Sequence, residues 1–427
     1  MREIFLIVIV ILLSAIALVR PKIGLYAYVW FTLMRPDYFA WSTTGVFPYV
    51  PVLSIATALG SLRHFADFGI LLRNPIARLL ILLQIPVAVS VISAVYPSLA
   101  YEPFWAFERL IPITLLIPVL IRSEEDLRGL ILVMACSLGA IGLKFGLFGL
   151  RAGGVHLYEG YAGLDNNSLA AQLAMTVPLL WYGRSLLHSK WFRLVFIGVI
   201  FTCVTAVVMT QSRGGSLALL TALLLLVYRS RHKVAVMVLF GMLAVPPIYM
   251  YHQAFFARMD TLRDPTQEVS ANSRLVMAEA AFQMWKSYPL IGVGFGNENF
   301  IALQRPYIED SRFWGLKVHN GYLQMLVDCG LFGFIPWVWL LFGTIARLWR
   351  SAGVHRRAQS ALEAYPRGLA IGLIVFAQYN LSGGKERDSI LYIFLMCAAA
   401  WLTVARSLPE QPADTEVPAL EEGTVLS

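Results

Sequence analysis

Long apolar runs recur along almost the whole chain and constrain its fold more than any other feature. A helix crosses the hydrocarbon core of a bilayer with about 20 mostly apolar residues, or fewer where the bilayer thins locally. The runs predict thirteen membrane-spanning helices, and because several are short, twelve is equally acceptable. The candidate spans are 3–19, 22–34, 48–62, 76–95, 107–120, 127–149, 168–182, 193–210, 214–228, 234–250, 319–346, 367–382 and 389–405. The predicted fold class is therefore an all-α polytopic membrane protein.

The composition agrees with a single helical bundle in a membrane. The 427 residues are 58% hydrophobic and 14% charged, whereas soluble domains are about 45–50% apolar and about 25% charged. In a soluble protein the net charge of +8 would suggest nucleic acid. Here the cations lie in short loops between apolar runs, which is how a membrane protein sets its orientation. We therefore expect membrane lipids as partners and no nucleic acid.

Basic loops alternate with loops of a different composition, and this alternation predicts the orientation. The basic set carries Arg63/Arg73/Arg78, Arg122/Arg128, Arg184/Lys190/Arg193, Arg229/Arg231/Lys233 and Arg347/Arg350/Arg356/Arg357. The other set comprises 35–47, 96–106, 151–167, 252–318 and 383–388. Its loops are longer, richer in Gly, Tyr and Trp, and hold most of the acids. We expect the basic loops in the cytoplasm and the other set on the periplasmic or extracellular side.

The polar segment 252–318 is too long for an ordinary connection, and we predict that it folds as a lid on the bundle. It contains a helical apolar pattern at 275–286, with Ser273 placed to cap that helix and Pro289 to end it. Residues 407–427 hold Pro, Glu and Asp and few aromatics, which predicts disorder. The predicted organisation is N-terminal helices at 1–251, a periplasmic lid at 252–318, C-terminal helices at 319–406 and a cytoplasmic tail at 407–427.

Arg213 lies between two apolar runs, at the predicted outer face of the membrane. Gly214 and Gly215 follow it and would let the backbone approach a ligand closely. The planar guanidinium of arginine suits bidentate binding of a phosphate. The alternative is an arginine that simply snorkels to the interface.

Two residues of the predicted lid could complete a site with Arg213. Arg274 begins the predicted lid helix, and helix N-termini favour anions; the alternative is a solvated residue of the first turn. His319 lies where the lid re-enters the membrane and could act as a general base near neutral pH. The alternative is an interfacial histidine satisfied by hydrogen bonds. Together the three residues suit a substrate that carries a diphosphate.

Other motifs are less specific. Lys144, near the outer end of a span, could add positive field to the same site or merely anchor its helix. Asp165 precedes another span, where a helix cap is the expected role. The segment 290–297 contains three glycines but lacks the spacing of a dinucleotide-binding loop, so we interpret it as a Gly-rich turn. The sequence has no cluster with metal-ligand spacing, so neither a metal nor a cofactor is implied.

Three segments, in this order, resemble the O-antigen ligase/polymerase family: TQSRGGSLAL, NSRLVMAEAAFQMWKSYPLIGVGFGN and KVHNGYLQMLVDCGLFGF. With the earlier LDNNSLAAQLAMTVPLL they cover roughly residues 160–340. The family includes lipopolysaccharide O-antigen ligases, O-antigen polymerases and bacterial protein O-oligosaccharyltransferases. The N-terminal part, with LMRPDYFAW and GLKFGLFGL, is similar to a branch of O-glycosylation ligases linked to exosortase systems.

The resemblance implies a metal-independent, inverting C-type glycosyltransferase whose donor is a glycan on undecaprenyl diphosphate. Arg213 and Arg274 match the two family arginines that hold the diphosphate, and His319 matches the histidine near the acceptor hydroxyl. Lys144, Asn320 and Tyr322 are further candidates for substrate binding. The resemblance also implies a multi-pass protein of the bacterial inner membrane with its active site facing the periplasm.

The resemblance leaves the acceptor open. We favour a ligase that moves O-antigen to lipid A–core. The alternatives are a protein O-oligosaccharyltransferase acting on Ser, Thr or Tyr, and an O-antigen polymerase. A transporter or flippase of lipid-linked glycans is the alternative of a different class. Transporters often carry inverted repeats and place charges at the bilayer midplane, whereas this sequence shows no repeat.

Overall fold

A computed structural model of the chain describes residues 2–39, 47–152, 161–250, 252, 269–358 and 360–408. The described residues form seventeen α-helices, joined by loops and short 3₁₀ turns, and contain no β-strand. The predicted all-α fold is confirmed. From residue 409 onwards, the tail for which we predicted disorder lies outside the described residues.

The first eight helices belong to the N-terminal part of the bundle. They are α1 (Arg2–Val19), α2 (Pro21–Met34), α3 (Tyr49–Ser61), α4 (Gly69–Arg73), α5 (Pro75–Ile92), α6 (Pro97–Glu108), α7 (Ile111–Leu120) and α8 (Glu124–Ala152). The other nine helices include those that build the candidate site. They are α9 (Asn166–Gly183), α10 (Lys190–Met209), α11 (Arg213–Arg229), α12 (Lys233–Met250), α13 (Val269–Ser287), α14 (Asn297–Leu303), α15 (Gly321–Arg357), α16 (Ala364–Gly383) and α17 (Ser389–Ser407).

The protein crosses the membrane several times, since nine helical stretches in the described part of the chain are long and apolar enough to do so. These stretches are Arg2–Val19, Tyr49–Arg73, Pro75–Ile92, Pro97–Leu120, Glu124–Arg151, Lys190–Met209, Lys233–Met250, Gly321–Arg357 and Ser389–Ser407. The other four predicted spans are also helical, as α2, α9, α11 and α16. Helices α2 and α11 are short, at 14 and 17 residues. A total of twelve or thirteen spans stays a prediction.

Helices α9 and α16 are long enough to span but less apolar than the nine stretches above, and they lie inside the bundle. Almost every residue of α9 is buried, and α9 packs against α8, α10, α11 and α16. Most of α16 is buried as well. A helix surrounded by other helices needs no lipid-facing surface, so it can carry polar side chains such as Gln172 and Asn380.

Helix α15 is interrupted at Gly330, whose φ of 58° is left-handed. The Gly-rich segment that follows α13 fills this interruption: the N–H of Val293 donates to the carbonyl of Val327 at 2.8 Å. A Cβ on Gly292 would lie 2.4 Å from that carbonyl oxygen, so only glycine allows this contact. The predicted Gly-rich turn therefore supplies hydrogen bonds that the broken helix lacks.

The predicted lid helix exists as α13 and ends before Pro289, as expected. It begins at Val269, however, so Ser273 is not its N-cap and Arg274 is its sixth residue. The prediction that Arg274 begins the helix is wrong. The apolar pattern shows only where the buried face starts, whereas the helix extends one further turn toward the N-terminus.

Residues 269–318, the described part of the predicted lid, have their own small core, to which one face of α13 contributes; residues 253–268 of the predicted lid lie outside the described residues. The buried members of this core are Met277, Ala280, Ala281, Met284, Val293, Phe300, Ile308, Phe313, Val318 and Val327. Val327 belongs to α15, so the lid is packed directly onto the bundle. This packing fixes the rotation of α13 about its axis and thereby the direction of its other face.

Candidate functional site

A cavity of about 810 Å³ lies between the lid and the ends of several helices. Arg213, Arg274 and His319 all line it, together with Asn320. The remaining wall is largely apolar and includes Val204, Val208, Leu217, Leu219, Leu220, Leu223, Ala244, Ile248, Leu275, Ala278 and Leu381. The structure thus brings the three sequence-predicted site residues to one cavity, although they are far apart in the chain.

Arg213 is the first residue of α11. Ser212 caps this helix: its Oγ accepts the N–H of Gly215 at 3.0 Å and donates to Oδ1 of Asn167 at 2.7 Å. The first turn of a helix presents unpaired N–H groups and the positive end of the helix dipole. Because Arg213 and Gly214 both line the cavity, an anion there would meet a guanidinium and a helix N-terminus together.

Gly215 allows α11 and α9 to approach each other. A Cβ at this position would lie 2.2 Å from Cβ of Ala170 on α9. Gly214 lines the cavity, but a Cβ there would also come within 2.9 Å of Oγ of Ser382. Sequence analysis predicted that these glycines would admit a ligand, whereas the structure shows that Gly215 serves close helix packing.

Helix α9 begins at the same end of the bundle. Asp165 caps it by accepting the N–H of Ser168 at 2.7 Å, which confirms the predicted cap. The side-chain amide of Asn166 donates to the carbonyl of Thr210 at 3.1 Å and ties the start of α9 to the end of α10. The segment between α10 and α11, which presents Arg213, is therefore held by the first residues of α9.

Helix α15 adds a third N-terminus. Asn320 caps it: its Oδ1 accepts the N–H groups of Tyr322 and Leu323 at 3.0 and 3.1 Å. Gly321 lies so close to Asn380 of α16 that a Cβ would fall 2.3 Å from its Oδ1. The starts of α9, α11 and α15 are thus gathered around the site, and their dipoles add to the positive potential of the arginines.

His319 lies between two cavities, because it also lines a polar cavity of about 470 Å³. The surrounding protein lowers the pKa of the imidazole below its ordinary value of 6.5, first by burial and then through the charge of Arg274. Asp165 opposes this shift, whereas Lys385 and Lys317 add to it. The imidazole is therefore neutral near pH 7 and able to accept a proton.

Comparison with known families agrees with this arrangement. Residues 198–338 match the family model described as O-Antigen ligase. Residues 198–338 are thus similar to an O-antigen ligase domain. This domain contains Arg213, Arg274 and His319, so the resemblance to the O-antigen ligase superfamily is confirmed on the segment that holds all three.

The part before the O-antigen ligase domain matches a different family. Residues 1–185 match a family of unknown function (DUF5935), and the proposed similarity to exosortase-linked ligases stays a prediction. No curated protein matches the chain significantly. The start of α9, including Asp165, lies within this N-terminal match, so the site draws on both regions.

Residues outside the O-antigen ligase domain also line the polar cavity. They include Asp165 and the short segment 384–388, which connects α16 to α17. The alternation of loop composition predicts that 383–388 lies on the outer side, but it does not distinguish the individual residues of this loop. The available signal was four consecutive charged residues, Lys385 to Asp388, in a very short loop between two apolar helices.

Two further candidates make other contacts. The ammonium of Lys144 lies 4.0 Å from the ring centroid of Phe39 and 5.1 Å from that of Tyr161. The hydroxyl of Tyr322 donates to the carbonyl of Ala377 at 2.8 Å. Within the described ranges neither residue lines the two cavities. Both contacts hold parts of the bundle together, and substrate binding by Lys144 or Tyr322 stays a prediction.

Proposed function

We propose that this protein is a glycosyltransferase that moves a glycan from undecaprenyl diphosphate to an acceptor hydroxyl at the periplasmic face. The proposed acceptor is lipid A–core. The observation that carries the proposal is the single, largely apolar cavity lined by Arg213, Arg274 and His319. The match to the O-Antigen ligase family supports the same class of reaction, that of a ligase or polymerase.

The cavity suits a donor with a lipid chain and a charged head. Leu217 and Leu220 line it and are 52% and 49% exposed. They belong to α11, so the cavity opens toward the outer surface of the bundle, from which a polyprenyl chain could enter. Arg213, Arg274 and the N-terminus of α11 would hold the diphosphate at the inner end of the chain.

The proposed reaction forms one bond and breaks one. The acceptor hydroxyl oxygen bonds to the anomeric carbon of the donor sugar from the face opposite the leaving group, which inverts that carbon. The bond between this carbon and the phosphate oxygen breaks, and undecaprenyl diphosphate leaves with the electron pair. The guanidinium groups of Arg213 and Arg274 neutralise the charge that develops there. Neutral His319 takes the proton from the acceptor hydroxyl.

The distribution of basic residues supports the proposed orientation. Helix α11 runs from Arg213 at the site to Arg229, and α15 runs from the site to Arg356 and Arg357. The site and the basic loops therefore lie at opposite ends of the same helices. Because basic loops are cytoplasmic in most membrane proteins, this arrangement favours a site that faces the periplasm.

The proposed chemistry requires no metal ion, since two guanidinium groups supply the positive charge. In the described part of the chain, no group of three or more His, Cys, Asp or Glu side chains could hold a metal. We expect EDTA to leave the transfer rate unchanged, measured with purified protein and both substrates. Strong inhibition that added Mg²⁺ or Mn²⁺ reverses would contradict this mechanism.

A reconstituted transfer assay tests the proposal. Purified protein would be given undecaprenyl-diphosphate glycan with either lipid A–core or an acceptor protein. We expect transfer to lipid A–core and a loss of about 10²–10⁴-fold in His319→Ala, which is the usual contribution of a general base. His188→Ala is the matched control, because His188 is exposed in the loop that follows α9, away from both cavities.

The outcomes of this assay distinguish a wrong acceptor from a wrong class of function. Transfer only to protein, or only to another carrier-linked glycan, would replace the acceptor and keep the roles of Arg213, Arg274 and His319. Binding of the donor without transfer to any acceptor would contradict a glycosyltransferase and favour a carrier of lipid-linked glycans.

A further inference from the structure

The second cavity beside His319 differs from the first in its chemistry. Its wall carries Asp165, Asn297, Lys317, His319, Lys385, Glu386, Arg387 and Asp388. Three lysine or arginine side chains face three carboxylates, so the charges are balanced. A balanced set of donors and acceptors suits a ligand rich in hydroxyl groups better than it suits a diphosphate.

A network of buried charges holds one wall of this cavity in place. Glu386 is 2% exposed, and its Oε1 accepts a hydrogen bond from Nε of Arg387 at 3.2 Å. Arg387 also interacts with Asp328, which is completely buried in α15 and accepts the N–H of Gly296 at 2.9 Å. The carboxylates of Glu386, Asp328 and Glu298 keep the pKa of Arg387 above its ordinary value although the side chain is largely buried. The position of Glu386 is therefore fixed.

Two oxygen atoms at this wall lack a hydrogen-bond donor. Oε2 of Glu386 and Oδ1 of Asn297 are both buried and have no hydrogen-bond partner among the described residues. Both residues line the polar cavity. An unpaired buried acceptor is unfavourable, and more so when it is charged, so a ligand that donates a hydrogen bond to both atoms would be stabilised at this site.

We propose that the polar cavity is the acceptor site and that it binds a sugar, whose hydroxyl groups donate to Glu386 and Asn297. The reactive hydroxyl of that sugar then reaches His319, which is shared by both cavities. This inference rests on the proposed function and adds the cavity that binds the acceptor sugar and the residues that select it.

The geometry assigns this cavity to the acceptor, since the first cavity already suits the other substrate. The donor diphosphate belongs with Arg213 and Arg274, and neither arginine lines the polar cavity. In an inverting transfer the acceptor approaches from the side opposite the leaving group. His319 must lie within hydrogen-bond reach of the acceptor hydroxyl, and it lies between the two cavities.

Steady-state kinetics of the full-length protein test the inference. We would measure KM separately for lipid A–core and for undecaprenyl-diphosphate glycan in Glu386→Gln and Asn297→Leu. We expect the acceptor KM to rise about tenfold, corresponding to the loss of one hydrogen bond to a charged or buried acceptor, with the donor KM unchanged. Glu309→Gln, an exposed lid carboxylate outside both cavities, is the matched control.

Glu386→Gln also breaks the Glu386–Arg387 ion pair, so its effect on local structure must be separated from the loss of a ligand contact. Asn297→Leu provides this separation, because Asn297 does not belong to the ion pair. A rise in the donor KM instead of the acceptor KM would assign the cavity to the donor glycan and overturn the inference. Acceptor KM values in Glu386→Gln and Asn297→Leu that equal the value in Glu309→Gln would also overturn the inference. If the wild-type protein transfers glycan in that experiment, the proposed function still stands.

A binding measurement decides the question even without turnover. Saturation-transfer NMR would detect a lipid-free core oligosaccharide on the detergent-solubilised protein. We expect binding to wild type and to Glu309→Gln, and weakened binding to both cavity variants. No binding to wild type, or equal binding to all four proteins, would contradict a sugar site whether or not glycan transfer is observed.

Discussion

Arg213 combines two sources of positive charge at one position. Arg213 lines the largely apolar cavity, and it is also the first residue of α11, whose N-terminus lies at the same cavity through Gly214. Ser212 and the first residues of α9 fix where this helix begins. The side chain is thus presented by a rigid backbone, which matters because electrostatic catalysis depends on charges that are already in place.

We expect Arg213→Lys to lower glycan transfer by at least about 100-fold, because a point ammonium cannot replace a bidentate fork on a diphosphate. The rate would be measured in the reconstituted assay at saturating acceptor. Arg312→Lys is the control: this exposed lid arginine pairs with Asp310 at 2.6 Å and does not line either cavity. Wild-type activity in Arg213→Lys would argue against a diphosphate clamp.

The pH dependence of transfer should report His319. Its pKa is lowered by burial and by Arg274, so the neutral base is present at neutral pH and is lost only as the pH falls through a value below 6.5. We expect kcat/KM to be flat near pH 7 and to fall on the acid side of pH 6.5. A fall that already begins above pH 7 would contradict a neutral histidine base.

Two substitutions should move this acid limb in opposite directions. Asp165 raises the pKa of His319 and Lys385 lowers it. Asp165→Asn should therefore shift the limb to lower pH, and Lys385→Gln should shift it to higher pH. Asparagine can still cap α9, so the first variant keeps the fold. Shifts in the same direction, or no shifts, would show that another group controls the profile.

The close packing of α11 against α9 positions Arg213. A substitution at the contact between the two helices tests this packing. Gly215→Ala would place a Cβ 2.2 Å from that of Ala170. We expect this overpacking to cost about 1–3 kcal/mol, to lower the unfolding temperature in detergent and to reduce transfer. Gly241→Ala on α12 is the control, since nothing lies within 4 Å of its added Cβ. Equal unfolding temperatures would contradict tight α9–α11 packing.

The helices could be predicted from the sequence because a membrane span must be apolar over most of its length. Each of the thirteen candidate spans coincides with a helix. The break at Gly330 could not be predicted, because it depends on hydrogen bonds from a segment about forty residues earlier. The early start of α13 was also missed, since Asn272 and Ser273 are residue types typical of a helix N-cap, whereas here they lie inside the helix.

The sequence predicts only part of the candidate site, because some of its residues matter through their surroundings in the fold. Arg213, Arg274 and His319 carry recognisable chemistry within motifs, and the structure brings them to one cavity. Glu386 and Asn297 are ordinary loop and helix-start residues in the sequence. Their significance depends on burial and on unpaired oxygen atoms, and neither property can be read from residue type or spacing.

At the scale of the whole molecule, the two cavities lie at the opposite ends of the helices from the basic loops. Both cavities lie at the ends of the helices where α9, α11 and α15 begin. Arg184, Arg229, Arg356 and Arg357 lie at the other ends of these helices. Such an arrangement serves an enzyme whose substrates meet on one side of the membrane. A transporter instead places its substrate site near the bilayer midplane and opens it to both sides.

Cysteine labelling of intact cells would decide the orientation. We expect Glu309→Cys in the lid to react with a membrane-impermeant maleimide, and Arg231→Cys between α11 and α12 to react only after the membrane is permeabilised. Cys203, Cys329 and Cys397 are buried, so a Cys136→Ser background removes the one exposed native thiol among the described residues. The reverse pattern would place Arg213, Arg274 and His319 on the cytoplasmic side. Transfer onto lipid A–core in the periplasm would then be impossible, although the arrangement of the two cavities around His319 would still stand.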